Sequence, residues 1–553
     1  MCGIVGYLGQ NLDKVNRKDL MKGIAHRGPD ESGEYYSGDV FLGHKRLSIV
    51  DIADGKQPFM IDDYVLVFNG EIYNYQLLRD KLKQKGVVFE TDSDTEVLLR
   101  AYIFFGDKFV DYLDGMFAFF IYNTSTEEGV YARDNFGIKP LYIWERNKEF
   151  AFSSEALPLI RLQKSSNVEN FTISKKALKH YLDNGHTSDI QITDEIKIVP
   201  KGILYHFSEG VSSKIKAIDY SFDFEIEDSI SVFKEEIKQQ LHADVDVGIF
   251  LSGGIDSSLL TAIGSTIREE VRTFSIVFEG QKGIDESEFS REVSSKFGTK
   301  HTEYIFDESK LIRYIPDLIK CMDLPICDPA MLPMLYLCEH TKDEIKVVLS
   351  GDGGDELFGG YTHYRIIKYK FFFKFLNLCL GFISFVPSLK RIKNTIDELI
   401  AYVEKHNFPD YDIYHNLDYK LLRKTDLTSM YYGLEVRVPF LSKRVFSLSR
   451  KSNYWNYVGL FVGKKPLRKL VSKLVSFKIA YKKKQGFRVP IKEWIVNGEL
   501  GKLIDKSLYS NLLISNELIN KNSLSAMLED KEAHYNKLFS LYLLNEWLNK
   551  LEK

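Results

Sequence analysis

Up to about residue 210, short apolar runs alternate with turn residues. YVLVFNGEIYNY, MFAFFIYN, GVYARDN and FAFSSEAL are rich in aromatic and β-branched residues and each predicts a strand. Between them, LLRDKLKQKG and TEVLLRAYIFFG carry apolar residues at helical spacing. This mixture predicts a layered α+β domain over 1–210. A charged, Ser-rich stretch follows, SEGVSSKIKAIDYSFDFEIED, and 211–226 reads as a linker. Beyond it the pattern changes. VGIFLSGGIDSSLLTAI reads as strand, glycine turn and helix, and RTFSIVF, DESEFSREVSSKFG and HTEYIFD as strand, helix and strand. IKVVLSGDGGDELFGGY repeats the strand-loop-helix order. Near-continuous apolar strands alternating with helices predict a parallel sheet covered on both faces. Residues 227–553 are therefore expected to form an α/β domain, with a largely helical part from about Tyr361. One greasy stretch, KFFFKFLNLCLGFISFVP, is interrupted by Lys374 and Asn377 and stopped by Pro387. A bilayer span needs about 20 apolar residues, so a buried helix is expected there instead.

Composition narrows the picture without redirecting it. At 553 residues the chain has room for two or three domains, and 44% apolar with 27% charged residues is ordinary for a globular protein. A net charge of −3 gives no reason to expect a nucleic-acid partner. The five cysteines (Cys2, Cys321, Cys327, Cys338, Cys379) are scattered and contain no C-x-x-C pair. That argues against a disulfide framework or a zinc site and for a reducing compartment. No basic segment followed by an apolar core opens the chain, so a cytoplasmic location with no membrane partner is expected.

The candidate chemistry of the second half lies in FLSGGIDSS. Its glycines let backbone amides converge on an anion, and the following helix adds the partial positive charge of its N-terminus. Ser252, Gly253, Gly254, Ser257 and Ser258 are the expected phosphate contacts, and Asp256 is placed to hold Mg²⁺. The loop is not the G-x-x-x-x-G-K-S/T type; it resembles the pyrophosphate loop of the ATP pyrophosphatases. LSGDGGDELFGGY again follows an apolar strand, and its Asp355 is the expected second Mg²⁺ ligand. Loops at the carboxyl ends of neighbouring parallel strands share one crevice.

In the first half, Cys2 stands directly behind the initiator methionine. With Met1 removed, it carries a thiol and a free α-amine, and an amine of ordinary pKa near 8 can take the proton of a thiol near 8.5. Asn69 and Gly70 in FNGEIYN can both donate to a developing oxyanion. Arg46 offers a fork suited to a carboxylate and Asp94 a charge suited to an ammonium. Together these recognise a free amino acid.

CGIVGY, HRGPDESG, HKRLSIVD, NGEIYNY, TDSDTEVLL, DGMFAFFIY, RDNFGIKPLY and FSSEAL resemble the class II, N-terminal-nucleophile glutamine amidotransferases. In order with the two loops above, from residue 2 to about 500, they resemble the glutamine-hydrolysing asparagine synthetases of the bacterial B type. The resemblance implies an αββα sandwich of two antiparallel sheets, followed by an adenylating ATP-pyrophosphatase domain. It implies glutamine, aspartate and ATP as substrates, Mg²⁺ as cofactor, an internal ammonia channel and a homodimer. It makes Cys2 the nucleophile and assigns Arg46, Leu47, Ser48, Ile49, Val50, Asn69, Gly70, Glu71 and Asp94 to glutamine. On the nucleotide side it assigns Phe250, Leu251, Ile276, Ser350, Gly351 and Lys464, with Asp352 tied to formation of the acyl-adenylate. The chain departs from the family pattern at Asp246, Asp352, Tyr431, Tyr432 and Ser442. Two alternatives stay open: a uronic-acid carboxylate of a surface polysaccharide as acceptor, and a non-catalytic relative, against which Cys2, Asp256 and Asp355 all stand.

Overall fold

A computed structural model describes residues 2–166, 172–221, 229–278, 285–382, 409–482, 489–508 and 512–552, with a few single positions between 393 and 404. The N-terminal domain is built on two six-stranded antiparallel sheets. One runs in the order Ile196–Ile198, Tyr142–Arg146, Glu149–Ser153, Gly3–Leu8, Val40–Arg46 and Glu31–Ser37. The other runs Val211–Ala217, Ile203–Ser208, Glu128–Arg133, Gly115–Asn123, Tyr64–Ile72 and Phe59–Ile61.

Helices cover the outer faces, and this explains why the central strands are apolar on both sides. Along Tyr64–Ile72, Val65 and Val67 enter the core between the sheets, while Leu66 and Phe68 pack under the helices Tyr75–Lys83 and Asp94–Phe105. Gly115–Asn123 does the same, with Phe120 inward and Phe117, Phe119 and Ile121 outward. Phe120 stacks on Phe152 of the facing sheet at 4.6 Å between ring centres. The architecture is the expected αββα sandwich.

Two expectations need correction. Residues 211–217, read as linker, are an edge strand paired on one side only, with Ile215 turned to the core. An edge strand needs few apolar side chains and tolerates lysine, so Ser212, Ser213, Lys214 and Lys216 disguised it. Residues 222–226 of that stretch lie outside the described residues. The greasy segment does form a helix, Lys370–Phe382, but not a buried one. Phe373 packs on the cluster of Tyr364, Ile366 and Val458, whereas Phe371, Phe375 and Leu378 are 90%, 65% and 63% exposed. Residues 383–387 lie outside the described set.

The second domain carries a five-stranded parallel sheet ordered Lys300–Ile305, Arg272–Val277, Val247–Phe250, Val347–Leu349 and Glu435–Arg437. Its first strand in the chain, Val247–Phe250, is central. Successive strands are added on one side, and the chain then crosses to the other. The order therefore reverses between Val247–Phe250 and Val347–Leu349, which opens a crevice at their carboxyl ends. The two glycine-rich loops leave from these strands. The helical remainder closes on Lys531–Glu552, whose Trp547 is fully buried.

Candidate functional site

Cys2 sits at one end of the sandwich. Gly3 pairs with Lys45 and Ile4 with His44, so the register sets Cys2 beside the 46–50 loop. Asn69 and Gly70 arrive from the facing sheet, on Tyr64–Ile72. The Cys2 backbone N–H donates to Asn69 Oδ1 at 3.1 Å. Asn69 Nδ2 is buried and has no hydrogen-bond partner among the described residues. A buried donor left unpaired is costly, and here it lies beside a thiol. A Cβ on Gly70 would fall 2.1 Å from the Met116 carbonyl oxygen, so the position excludes any larger residue. Burial pushes the Cys2 thiol up, against which the Leu47 N–H works. Met1 lies outside the described residues.

The other expected glutamine residues surround this point in unequal ways. Arg46 spends its guanidinium on Glu31 Oε2 at 2.8 Å and on the carbonyls of Val50, Asp51 and Ile52. It holds the loop that flanks Cys2 rather than presenting a free fork. Leu47 and Ile49 turn their side chains into a core shared with Ile249 and Leu349, which leaves only their backbone to face a substrate. Asp30 Oδ2 fixes the Ser48 N–H at 2.8 Å, and Val50 packs against the same core. Asp94 Oδ2 accepts the Ile72 N–H at 3.0 Å, and burial raises its carboxyl to about 6. Burial also pushes Glu71 well above the usual carboxylate range, with repulsion from Glu435 and Asp94 adding to it. The Arg437 guanidinium, 3.6 Å from Glu71, belongs to the edge strand of the parallel sheet.

A second link joins the domains. Arg27 is fully buried; its Nε donates to the Cys2 carbonyl at 3.2 Å, and its two terminal nitrogens grip both oxygens of Asp426 at 2.9 Å. Lys139, also buried and 3.9 Å from Asp426, is pulled down by burial. Asp426 lies on the helix Arg423–Met430, and its neighbour Thr425 donates to Asp352 Oδ2 at 3.1 Å. One turn of helix thus touches both sites.

The second site is a cleft of about 440 Å³ at the sheet reversal. Phe250, Leu251, Ser252, Gly254, Asp256 and Ser257 line it from one loop, Ser350, Gly351, Asp352 and Asp355 from the other, and Ile276 from the next strand. Gly253 adopts a left-handed φ of +68°, and a Cβ there would meet Ser290 N at 2.7 Å. Gly254 caps the helix Ile255–Gly264, with Asp256 in its first turn, while Ser258 is turned into the interior. The two loops touch so closely that a Cβ on Gly351 would lie 2.8 Å from Asp256 Cβ.

Lys464 stands between the expected Mg²⁺ ligands, 2.5 Å from Asp256 Oδ2 and 2.9 Å from Asp355 Oδ1. Burial pulls its ammonium down, but the two carboxylates outweigh that and hold it at about 12. Asp256 and Asp355 therefore converge on one point. Among the described residues no group of three or more His, Cys, Asp or Glu could hold a metal. Two carboxylates do fit an octahedral Mg²⁺ that takes its other ligands from phosphate and water.

Several cleft residues carry no motif of their own in the sequence. Lys424 pairs with Asp328 at 3.4 Å, Lys482 with Glu286 at 2.9 Å, and Arg468 joins them from the helix Lys465–Leu474. Each comes from a segment distant along the chain, so spacing offered no signal. Three of the five departures from the family pattern have local partners. Ser442 caps the helix Lys443–Arg450 by accepting the Val445 N–H. The hydroxyls of Tyr431 and Tyr432 donate to Asp317, and neither ring lines the cleft.

Two family models match the chain. A glutamine amidotransferase domain model matches residues 1–217, and an asparagine synthase model matches 230–398 and 403–549. The glutamine-hydrolyzing asparagine synthetase 1 of Bacillus subtilis (strain 168) is 29% identical, over 99% of this chain and 96% of its own. The glutamine-hydrolyzing asparagine synthetase of Zea mays is 30% identical, over 84% and 72%. Among solved structures, a glutamine phosphoribosylpyrophosphate amidotransferase from B. subtilis covers 55% of this chain and 81% of its own, with 16% identity and a TM-score of 0.31.

Proposed function

The chain belongs to the asparagine synthase family, and on that premise we propose that it hydrolyses glutamine at Cys2 and uses the ammonia to convert aspartate to asparagine at the expense of ATP. The observation that carries this reading is the helix Arg423–Met430, which joins a thiol site to a phosphate cleft through Asp426 and Thr425.

Removal of Met1 leaves Cys2 with an α-amine held by Asn69 Oδ1. The amine takes the thiol proton, and the thiolate attacks the side-chain amide carbon of glutamine. Asn69 Nδ2 and the Gly70 N–H receive the oxyanion. The α-ammonium returns its proton to the departing nitrogen, ammonia leaves, and water releases glutamate from the thioester. Asp94 faces the ammonium of glutamine, and the loop held by Arg46 closes the pocket with Glu71.

In the cleft the Ser252–Ser257 loop and Lys464 hold the phosphates of ATP, and Ile276 packs near the base. Asp256 and Asp355 would hold Mg²⁺, which supplies charge neutralisation for the departing pyrophosphate. The aspartate β-carboxylate attacks the α-phosphorus and pyrophosphate leaves. Ammonia then attacks the acyl carbon and AMP departs. Asp352, fixed by Ser350 and Thr425, stands at the reacting carboxylate. Ammonia must travel inside the protein, because water at neutral pH would protonate it. Following the family's pattern, the enzyme works as a cytoplasmic homodimer.

The test is direct. Purified protein with glutamine, ATP and Mg²⁺ is assayed with and without aspartate, following AMP, pyrophosphate and asparagine, and intact mass reports whether Met1 is gone. Aspartate-dependent formation of all three products is expected. Retention of Met1 together with active glutamine hydrolysis would refute the role of the α-amine.

A further inference from the structure

The most exposed large apolar side chain among the described residues is Phe371, on the helix Lys370–Phe382, which lines neither pocket. Helical spacing sets Phe371, Phe375 and Leu378 on one stripe, with Phe372 and Cys379 along its edge, and all five are exposed. Phe373 and Leu380 point the opposite way, toward the protein: Phe373 joins the cluster of Tyr364, Ile366 and Val458, and Leu380 is buried. The helix is therefore seated by one apolar face and presents a second to solvent, with no charge interrupting it. A contiguous apolar patch of this kind marks a surface that something covers.

Charge says what covers it. No Asp or Glu occurs between Glu356 and Asp397, a stretch that holds this helix and seven Lys and Arg, although the whole chain has a net charge of −3. Lys370 and Lys374 flank the stripe and reach the same carboxylate oxygen, Glu404 Oε1, at 2.8 and 2.9 Å, so two cations share one anion. Asp397 also faces the helix and accepts from Asn377 and Lys393. On the preceding helix, Thr362–Lys368, Arg365 donates to the Phe461 carbonyl at 2.9 Å, and Lys368 to the carbonyls of Trp455 and Val458. The loop they hold carries Phe461, which is 83% exposed. It belongs to a second stretch without acidic residues, from Glu435 to Glu493, that contains sixteen Lys and Arg.

A second copy of this chain would bring the same excess of cations to the face and be repelled by it. An anionic lipid surface answers both features at once, because aromatic rings settle at the boundary of headgroups and acyl chains while lysines stay among the headgroups. Among the described residues no helix is long and apolar enough to cross a membrane, so the contact is with its surface. We propose that the helix Lys370–Phe382 docks the protein on an anionic membrane surface. Phe371, Phe375 and Leu378 enter the boundary layer, and Lys370 and Lys374 lie among the headgroups. This role is independent of the reactions assigned to the two pockets.

The experiment sediments the full chain with vesicles of phosphatidylcholine alone and of phosphatidylcholine mixed with phosphatidylglycerol. The wild type is expected to sediment with the mixed vesicles and to be released in part by added salt. Phe371→Ser with Phe375→Ser should weaken that binding by about tenfold or more, the scale of two aromatic rings left in water. Lys370→Glu with Lys374→Glu should remove most of the preference for phosphatidylglycerol. All four positions are exposed or flank the exposed stripe, so the thermal midpoint should stay at the wild-type value in both variants. Phe371→Trp reads insertion itself: on adding mixed vesicles its emission should shift to the blue by more than the wild type's does. A wild type that ignores anionic vesicles, undiminished binding by the double phenylalanine variant, or a Phe371→Trp emission that does not move would each overturn the proposal. So would self-association that the double phenylalanine variant abolishes in the absence of vesicle binding, which would give this face to a second copy.

Discussion

In the Cys2 pocket burial wins over pairing. Glu71 is pushed well above the ordinary carboxylate range and Asp94 to about 6, although Arg437 lies close by. In the phosphate cleft pairing wins over burial, because Lys464 is enclosed by two carboxylates and stays at about 12. The difference matches what each pocket would receive under the proposed function. A neutral amide, as proposed for the first pocket, would need a dry site beside the thiol and a donor left unpaired, and Asn69 Nδ2 is such a donor. A polyphosphate, as proposed for this cleft, needs a cation that is charged before it arrives, and Asp256 and Asp355 hold the Lys464 ammonium in that state. The same contrast appears in construction. The first pocket is assembled where one strand end meets the facing sheet. The second draws on segments near 252, 352, 424, 464 and 482 around a sheet reversal.

The contrast can be broken at either end. Cys2→Ala has the largest expected effect: glutamine-dependent synthesis falls below detection while added ammonia still supports amide formation, measured as asparagine per AMP. Continued glutamine hydrolysis would remove the nucleophile from this account. Asn69→Ala should lower glutaminase turnover by about 10²–10³-fold, the scale of losing one oxyanion donor, with synthesis from ammonia intact. Asp256→Asn should produce the mirror image, a loss of about the same size in pyrophosphate release with glutaminase activity kept. A fall in both activities for either variant would mean that the pockets are not separable.

A smaller, pH-dependent effect tests the burial argument itself. The Asp94 carboxyl is raised to about 6 in the folded chain from an ordinary value near 4, so its ionisation above pH 6 works against folding. Asp94→Asn should weaken glutamine binding yet raise the thermal midpoint by a few degrees at pH 7.5. That gain should shrink as pH falls through 6 and be gone below about 4, as thermal denaturation at several pH values would show. A gain independent of pH would mean that burial of charge is not the cause. Smallest of all, Ser442→Ala removes one helix cap and should cost about 1 kcal/mol with both activities unchanged.

Short contiguous motifs already pointed to both pockets, because each lies within a strand or directly after one. FLSGGIDSS and FNGEIYN carry their chemistry within a few residues, and helix or sheet geometry fixes where those residues point. The edge strand Val211–Ala217 was hidden, since an edge is half solvated and needs no apolar pattern. The helix Lys370–Phe382 misled in the opposite direction: apolar content predicts a helix but says nothing about whether a partner surface covers it.

Taken alone, the chain's letters determined the two domains' classes and singled out Cys2 with Asn69 and Gly70, and the glycine-rich loops with Asp256 and Asp355, as candidates, all of which depend on local geometry. Only the tertiary structure decided that Arg46 would hold a loop, that Arg27 would reach Asp426, and that Lys424 and Lys482 would line one cleft. Those contacts join residues as far apart as 27 and 426, and a pairing across such a distance is set by how the sheets pack, which no spacing along the chain records.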